Sequence, residues 1–553
     1  MRLSFYPVSI QEVQSLSPHL TYKESTSPWW SIFLPIVGGD FFILALVCFL
    51  FMRPLALLWD GGTCRHILIG LSILVGHHIP TTNSVSALFS QWPFLPHSLF
   101  GDVVYGLAYQ AGHLNGLVLV SSAIFALSLT WSYQIARNRG LGFITAWLLL
   151  ALGILVSSLH WSARCQEFSY LAFLSLYIVT FLAPIGHRQR LSFSAVIMFF
   201  WVNFHGTFAL GLIMLAVAVV SDWLSAGFDL RDTYQQSKAL PLPTVKDTAS
   251  AGSAGWKLLT LLTAALTVCL NVRGPAIYSY VGIYLTHPLI LFKTDEFRSI
   301  DFLLGLPVWL YLGFYILVVA LWLISDRKPN PWEFILLTIF FCAGLHTMRL
   351  MPYFVLIALP AAGPPWQRLH QSFLSARLNG NCFLKALSSL AELERRVGRQ
   401  ETMLLASPAT TVAKIAVTLV LATVFLIAPQ FKITDFDPHR LPVRAVSFIA
   451  NSGLKQIGFN LDNWGGYLYY RLRQPVFLDD WTPAYPTAFL QEYVAIMQAQ
   501  PGWQQAMDRY KLEYVLIPPS ITLGAALINS PGWRRVYHDE ISEVYRRAVS
   551  TSH

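Results

Sequence analysis

Apolar runs recur along this chain near 36–58, 114–133, 141–159, 168–185, 191–202, 206–222, 258–271, 303–325, 332–345, 350–363 and 409–428. Most approach the roughly 17 to 25 residues that cross a bilayer. A chain with this many long apolar segments cannot hide them all in one water-bounded core. The charge content agrees: 12% of positions are Asp, Glu, Lys or Arg, against about 25% in soluble domains. Mean hydropathy is +0.51. The sequence therefore excludes a water-soluble globular enzyme and predicts a polytopic membrane protein.

After Ala428 the texture changes. Val476-Phe477-Leu478 and Tyr514-Val515-Leu516-Ile517 predict buried strands, and 487–510 predicts a helical stretch. Short apolar runs bounded by Pro, Asp and Gly are the pattern of a small α/β domain. The expected fold class is mainly α: a transmembrane helical bundle of about eleven crossings with a small C-terminal α/β soluble domain. The expected divisions are an N-terminal cytoplasmic segment 1–35, a membrane domain 36–428, and a domain 429–553 beyond it. Residues 1–30 show no apolar block with a small-residue cleavage site, so the first span is expected to act as an uncleaved signal-anchor. No repeat of 20–50 residues is evident.

The formal charge of +9 (38 Lys+Arg against 29 Asp+Glu) reflects basic cytoplasmic loops rather than a nucleic-acid partner. With an inside N-terminus and eleven crossings, the inside loops hold Arg137/Arg139, Arg188/Arg190, Arg231/Lys238/Lys246 and Arg327/Lys328. Segment 364–408 adds Arg368, Arg377, Lys385, Arg395, Arg396 and Arg399 among leucines, predicting an amphipathic helix on the inner leaflet. The C-terminal domain then lies outside. A nine-crossing count treats 191–222 and 332–363 as single helices, with the same outward C-terminus. Polar interruptions at Asn203-Phe-His205-Gly206 and His346-Thr-Met-Arg349 favour eleven. The cysteines (48, 64, 165, 269, 342 and 382) are scattered without a CxxC pair, which reads as packing.

Under this topology Asp60, Arg65, His66, His97, Asp102, His160, Arg164, Asn203, His205, Asn271, Glu296 and Arg349 all fall at outer helix ends or in outer loops. Ionisable groups at a membrane boundary are expected to be functional. Plain structural roles compete: Asp60 as a helix N-cap, Arg349 snorkelling to headgroups, Asn203 and His205 bonding between helices. The histidines show no HxH or HExxH spacing, so no metal is expected. No cofactor motif is present either: Walker, Rossmann and GxSxG patterns are all missing. A polyprenyl-phosphate substrate would explain the mixture, with Arg forks clamping phosphate. Sugar transfer would also need a carboxylate base, and Asp60 is suitably placed.

Asp60-Gly-Gly-Thr-Cys-Arg-His66, then Gly70 and Pro80, resembles the first outer loop of bacterial multi-pass GT-C glycosyltransferase-like proteins, D-x-D-x-W-W-H-L then G then I-P. Pro93 to Asp102 is similar to P-W-x-N-H-E-W-L-x-E, with His97 and Asp102 matching. Trp201-Val-Asn203-Phe-His205-Gly206 resembles W-x-N-x-H-G, and Asn271 with Gly274 resembles N-P-x-G. Glu296 to Phe302 resembles E-W-x-S-P-D-F, and Arg349 to Phe354 resembles R-x-x-P-L-F. In the tail, Asn463-Trp-Gly-Gly-Tyr467, Pro475 to Asp479 and Pro501-Gly-Trp503 also fit. The resemblance runs over most of the chain from about residue 36.

Departures stand at named positions. Gly62 replaces the second acid of D-x-D, Cys64-Arg65 the Trp pair, Ser98 the Glu of H-E, and Asp480-Trp481 the Gly-Arg of D-G-R. Losing two acids argues against metal-assisted catalysis.

What the resemblance implies is sugar transfer from a polyprenyl-phosphate donor to a glycan, lipid or protein acceptor, on the outer side of the bacterial cytoplasmic membrane. Asp60, His97 and Asp102 are then the expected catalytic residues. His66, Arg164, Asn203, His205, Glu296 and Arg349 would bind substrate. A flippase for lipid-linked glycans, a scaffold acting through its tail, or a non-catalytic homologue are the alternatives. Membrane lipids are expected partners in every case.

Overall fold

The computed structural model describes residues 39–158, 161–236, 247–286, 299, 303, 305–325, 328–375, 389, 391–398, 408–454, 457–481 and 484–548. The described chain is mainly helical, with one small sheet near its C-terminal end. Glu296 and His160 lie outside the described residues, as does most of 376–407.

The first helices are α1 (Gly39–Val47), α2 (Gly61–Leu74), α3 (Leu99–Asn138), α4 (Phe143–Ser157), α5 (Phe168–Tyr177) and α6 (His187–Phe204). Then follow α7 (Ala209–Gln236), α8 (Asp247–Thr267), α9 (Ala276–Thr286), α10 (Leu306–Ile324), α11 (Pro331–His346), α12 (Met351–Ser375) and α13 (Pro408–Ile427). By length and composition, four described stretches can cross a bilayer: Leu99–Asn138, Cys165–Leu182, Gly206–Ser225 and Leu306–Ile324. Five shorter apolar helices accompany them, among them Gly61–Leu74 and Val412–Ile427. The expected first span stops being α-helical at Val47 and passes through a π turn (Cys48–Met52) and a 3-10 turn (Pro54–Leu57).

Two breaks fall at the polar interruptions. Between α6 and α7 the chain leaves helical geometry at His205 (φ −165°). Between α11 and α12 it does so at Thr347 (φ −145°). A third break lies inside α3, at Gly112 and His113 (φ +50°). Residues 59–113, expected to be a loop between spans, thus hold α2 and the part of α3 that precedes its break. Local chemistry fixes the starts: Pro331 opens α11 behind an Asn330–Glu333 capping box, the arrangement that satisfies orphan amides reciprocally. Glu333 also meets Arg139 at the far end of α3.

Leu148, Trp223, Leu266, Leu323, Leu419 and Ile427 are large apolar side chains left exposed by the helices. Beyond residue 430 the described residues add only Ile528 to that set. Here α14 (Val443–Asn451), α15 (Asp462–Leu472), α16 (Thr487–Met497), α17 (Trp503–Arg509) and α18 (Thr522–Ile528) surround strands β1 (Gly458–Asn460), β2 (Tyr514–Ile517), β3 (Trp533–His538) and β4 (Glu543–Arg547). The sheet order is β1-β2-β4-β3, with β1 parallel to β2 and the other pairs antiparallel. All four residues of β2 are buried, as expected of a central strand.

Two expectations need correction here. Residues 476–478 form no strand, only a bridge from Val476 to Ser86. The stretch 487–510 is two helices, because Pro501 and the positive φ of Gly502 (+93°) interrupt it.

Candidate active site

The tail grips α2 by close backbone approach. A Cβ on Gly61 would collide with the Asn463 carbonyl, and one on Gly466 with the Gly61 carbonyl. These glycines let α15 lie directly on the start of α2. Backbone hydrogen bonds from Ala87 to Val476 (2.8 Å), Val476 to Val85 (2.9 Å) and Asp437 to Leu58 (2.9 Å) extend the seam. Whatever happens at the α2 N-terminus therefore happens against the tail.

Asp60 is the N-cap of α2, accepting from the Gly62 amide at 2.8 Å. Its other oxygen, Oδ2, lies 2.5 Å from Arg164 Nε. Arg164 also donates to Asp480 Oδ2 at 2.7 Å. Arg65 donates to Asp479 Oδ2 at 2.5 Å and to Asp480 Oδ1. The result is a largely buried string of three acids and two arginines. Burial pushes the Asp479 carboxyl above its usual range, against the pull of Arg65. A proton on Asp479 would bring the string to neutrality, which buried charge favours.

The network explains the departures. In the resembled pattern an acid and a Trp stand at 62 and 65, facing a Gly and an Arg at 480 and 481. Here the residues are Gly62 and Arg65, facing Asp480 and Trp481. A Cβ at 62 would collide with Asp480 Oδ2 and the Arg164 guanidinium. Arg65 lies over the Trp481 ring at 4.6 Å, within cation–π range. Acid and glycine, and arginine and tryptophan, have exchanged sides of one interface.

A second group lies beside the first, carried by the next residues along. His66 Nδ1 is 2.6 Å from Asp102 Oδ1, and Cys165 Sγ is 3.9 Å from the same oxygen. Gln166 accepts from Arg349 Nε and donates to the Arg349 carbonyl at 3.4 Å.

His97 also stands against Trp481, edge to face, its ring centroid 4.8 Å away. Its Nδ1 meets Tyr280 Oη at 3.1 Å, and its ring is 5.6 Å from that of His205. Burial first, then the charges of His66, Arg273, Arg65 and Arg349, push His97 well below its usual value. It is a neutral imidazole at physiological pH. A crevice of about 200 Å³ opens beside Trp481, lined by Phe94, Arg273, Tyr280 and Ile283.

Of the expected site residues, the structure connects Asp60, Arg164 and His97 through Asp480 and Trp481, with His66, Asp102, His205 and Arg349 alongside. Asn203 has a structural bond pattern: its Nδ2 donates to the Phe199 and Leu270 carbonyls at 2.9 and 3.0 Å. His205 Nδ1 accepts from the Thr207 amide at 3.2 Å. Sequence reasoning counted Arg65 among the polar residues at helix ends without giving it a role, and did not select Asp479, Asp480 and Trp481. Their signal lay in the departures, which occur at positions that touch.

No family profile and no curated protein matches the chain. Among solved structures, its path is similar to that of the oligosaccharyltransferase of Archaeoglobus fulgidus. The form tethered to an acceptor peptide gives a TM-score of 0.45 at 11% identity, over 94% of this chain and 74% of that one. The apo form gives 0.49 at 10%, over 90% and 70%. ArnT of Cupriavidus metallidurans bound to undecaprenyl phosphate gives 0.44 at 12%, over 94% and 98%.

Proposed function

We propose that the chain is a membrane glycosyltransferase that moves a sugar from a polyprenyl-phosphate donor to an acceptor on the outer side of a bacterial cytoplasmic membrane. The observation that carries this reading is the Asp60 carboxylate held between a helix N-terminus and Arg164. A base fixed beside a guanidinium places proton acceptance next to phosphate recognition. The eleven-crossing topology, the outward tail and the division at residue 428 are part of the same proposal.

In the proposed reaction Asp60 takes the acceptor proton and the acceptor oxygen attacks the anomeric carbon. The polyprenyl phosphate leaves with inversion. Arg164 and Arg349 stabilise the phosphate as its charge grows, which is where guanidinium forks contribute most. For Arg164 to do so, phosphate must displace Asp480 from it. The tail then acts as a competitor for the clamp until donor arrives. His97, neutral beside Trp481 and the aromatic crevice, positions the acceptor. His66, Asp102 and His205 are assigned to the surrounding shell.

A second reading draws on the same network. Arg164 is already bracketed by Asp60 and Asp480, the pattern of a clamp retired from phosphate binding. A non-catalytic homologue or a carrier of lipid-linked glycans would keep the fold and lose turnover. Incubating the purified protein with a panel of radiolabelled polyprenyl-phosphate sugars separates these. Transfer supports the enzyme, and its absence across the panel supports the second reading.

A further inference from the structure

We infer that His66, Asp102 and Cys165 form a binding site for one divalent transition-metal ion of the zinc class. The inference does not depend on sugar transfer. The three ligand atoms come from α2, the first turn of α3 and the 3-10 turn Cys165–Glu167. All three residues are buried, and their ligand atoms lie within 4.8 Å of one another.

The spacing suits a small ion. Zinc holds N and O ligands at about 2.0–2.1 Å and S at about 2.3 Å, so ligand atoms in a tetrahedral site stand roughly 3.3–3.5 Å apart. The observed separations are 2.6 Å for His66 Nδ1 to Asp102 Oδ1 and 3.9 Å for Cys165 Sγ to that oxygen. These two straddle the required value, and the third pair, His66 and Cys165, lies within 4.8 Å, so binding draws the thiol and the imidazole together. Gly101 leaves the thiol its room: a Cβ there would lie 2.6 Å from Sγ.

A second observation points to a missing ligand. Asp102 Oδ2 is buried and has no hydrogen-bond partner. An ionised carboxylate oxygen left so carries a full desolvation penalty, which is removed if the carboxylate turns to give Oδ2 to the ion. The charges also close. One thiolate, one carboxylate and a neutral imidazole sum to −2, which cancels the ion. Binding removes the Cys165 thiol proton and the Nδ1 proton through which His66 bonds Asp102, so that the Nδ1 lone pair completes the bond; nothing is oxidised or reduced. A neutral assembly suits a buried position where net charge is costly.

Three protein ligands with a fourth position open is the pattern of a reactive zinc site rather than a closed structural one. Arg65 and Arg164 serve the acid network while their neighbours His66 and Cys165 face Asp102. The ion would therefore stand one residue from the Asp60 site. With ligands separated by 36 and 63 positions, no sequence spacing announces it.

The test uses the full chain in detergent, stripped with a chelator and titrated with Co²⁺. The expected result is one ion per chain with a thiolate-to-cobalt absorption band, displaced by Zn²⁺. Cys165→Ser should lose the band and Cys64→Ser should keep it. Asp102→Asn should weaken affinity by more than about tenfold, the scale seen even for outer-shell partners. If Cys165→Ser fails to fold, the wild-type cobalt d–d bands, tetrahedral for a site with one thiolate, supply the readout. No cobalt bound, a thiolate band that survives Cys165→Ser, or an octahedral cobalt spectrum would each overturn the site. They would leave a plain His–Asp hydrogen bond with an apolar thiol beside it.

Discussion

Arg65 on α2 donates to the Asp479 carboxylate at 2.5 Å, across 414 positions of chain. This bond and its neighbours weld the tail to the start of α2, at the place where the chain departs from the pattern it resembles.

The exchange across that seam makes a stability prediction. Gly62→Ala should destabilise the protein by about 1–3 kcal/mol, the usual cost of overpacking, because its Cβ strikes Asp480 and Arg164. Gly62→Asp alone should be worse, since it adds a fourth carboxylate. The fourfold change Gly62→Asp, Arg65→Trp, Asp480→Gly and Trp481→Arg restores the resembled arrangement and should recover most of the lost thermal stability in detergent. A fourfold variant no more stable than Gly62→Asp would show that the exchange is coincidental.

The β3–β4 turn gives a pH prediction. Burial works against ionisation of Asp539, but bonds from the Tyr537 hydroxyl, the Ile541 and Ser542 amides and the Ser542 hydroxyl outweigh it and hold the carboxyl below its usual value. A depressed folded value means the stabilisation is complete above the unfolded pKa of about 3.9 and is lost as pH falls through the folded value. Thermal unfolding of the full chain between pH 5 and pH 2.5 should show an acid-dependent loss that Asp539→Asn reduces. An identical pH profile in that variant would contradict the assignment.

Topology is checked by reporter fusions. Fusions after Arg139, Arg190 and Lys328 should report a cytoplasmic location, and a fusion after Arg547 an outer one. An outer signal from Lys328 would return the count to nine crossings.

How much of this was legible in the sequence depends on the range of the interaction. The helix breaks at Asn203–Gly206 and His346–Arg349 could be read because polar groups within an apolar run are a local, costly signal. So could strand β2, as a short apolar run. The α3 break at Gly112 and His113 was not, since a glycine in an apolar helix carries no period of its own. Val476–Leu478 shows the opposite error: its apolar residues pack without a strand partner beyond the bridge to Ser86. At the site, Asp60 stood out because it sits alone at a helix start. Its partner Asp480 did not, because an acid in a charged tail looks solvated until the fold lays it against Gly62 and Arg164.

Arg349→Lys separates binding from chemistry. A point charge replaces a fork, so donor affinity should fall by about tenfold or more while turnover at saturating donor changes less. A loss confined to turnover would remove Arg349 from donor binding.

The most direct measurement compares wild type with Asp60→Asn in transfer of labelled sugar from a polyprenyl-phosphate donor, using purified protein in nanodiscs. Asparagine caps a helix as well as aspartate does, so α2 should keep its start and the fold should survive. The account predicts turnover lower by at least about a hundredfold, the scale of general-base loss, with donor affinity retained. Wild-type turnover in Asp60→Asn would contradict it and take Asp60 out of the reaction.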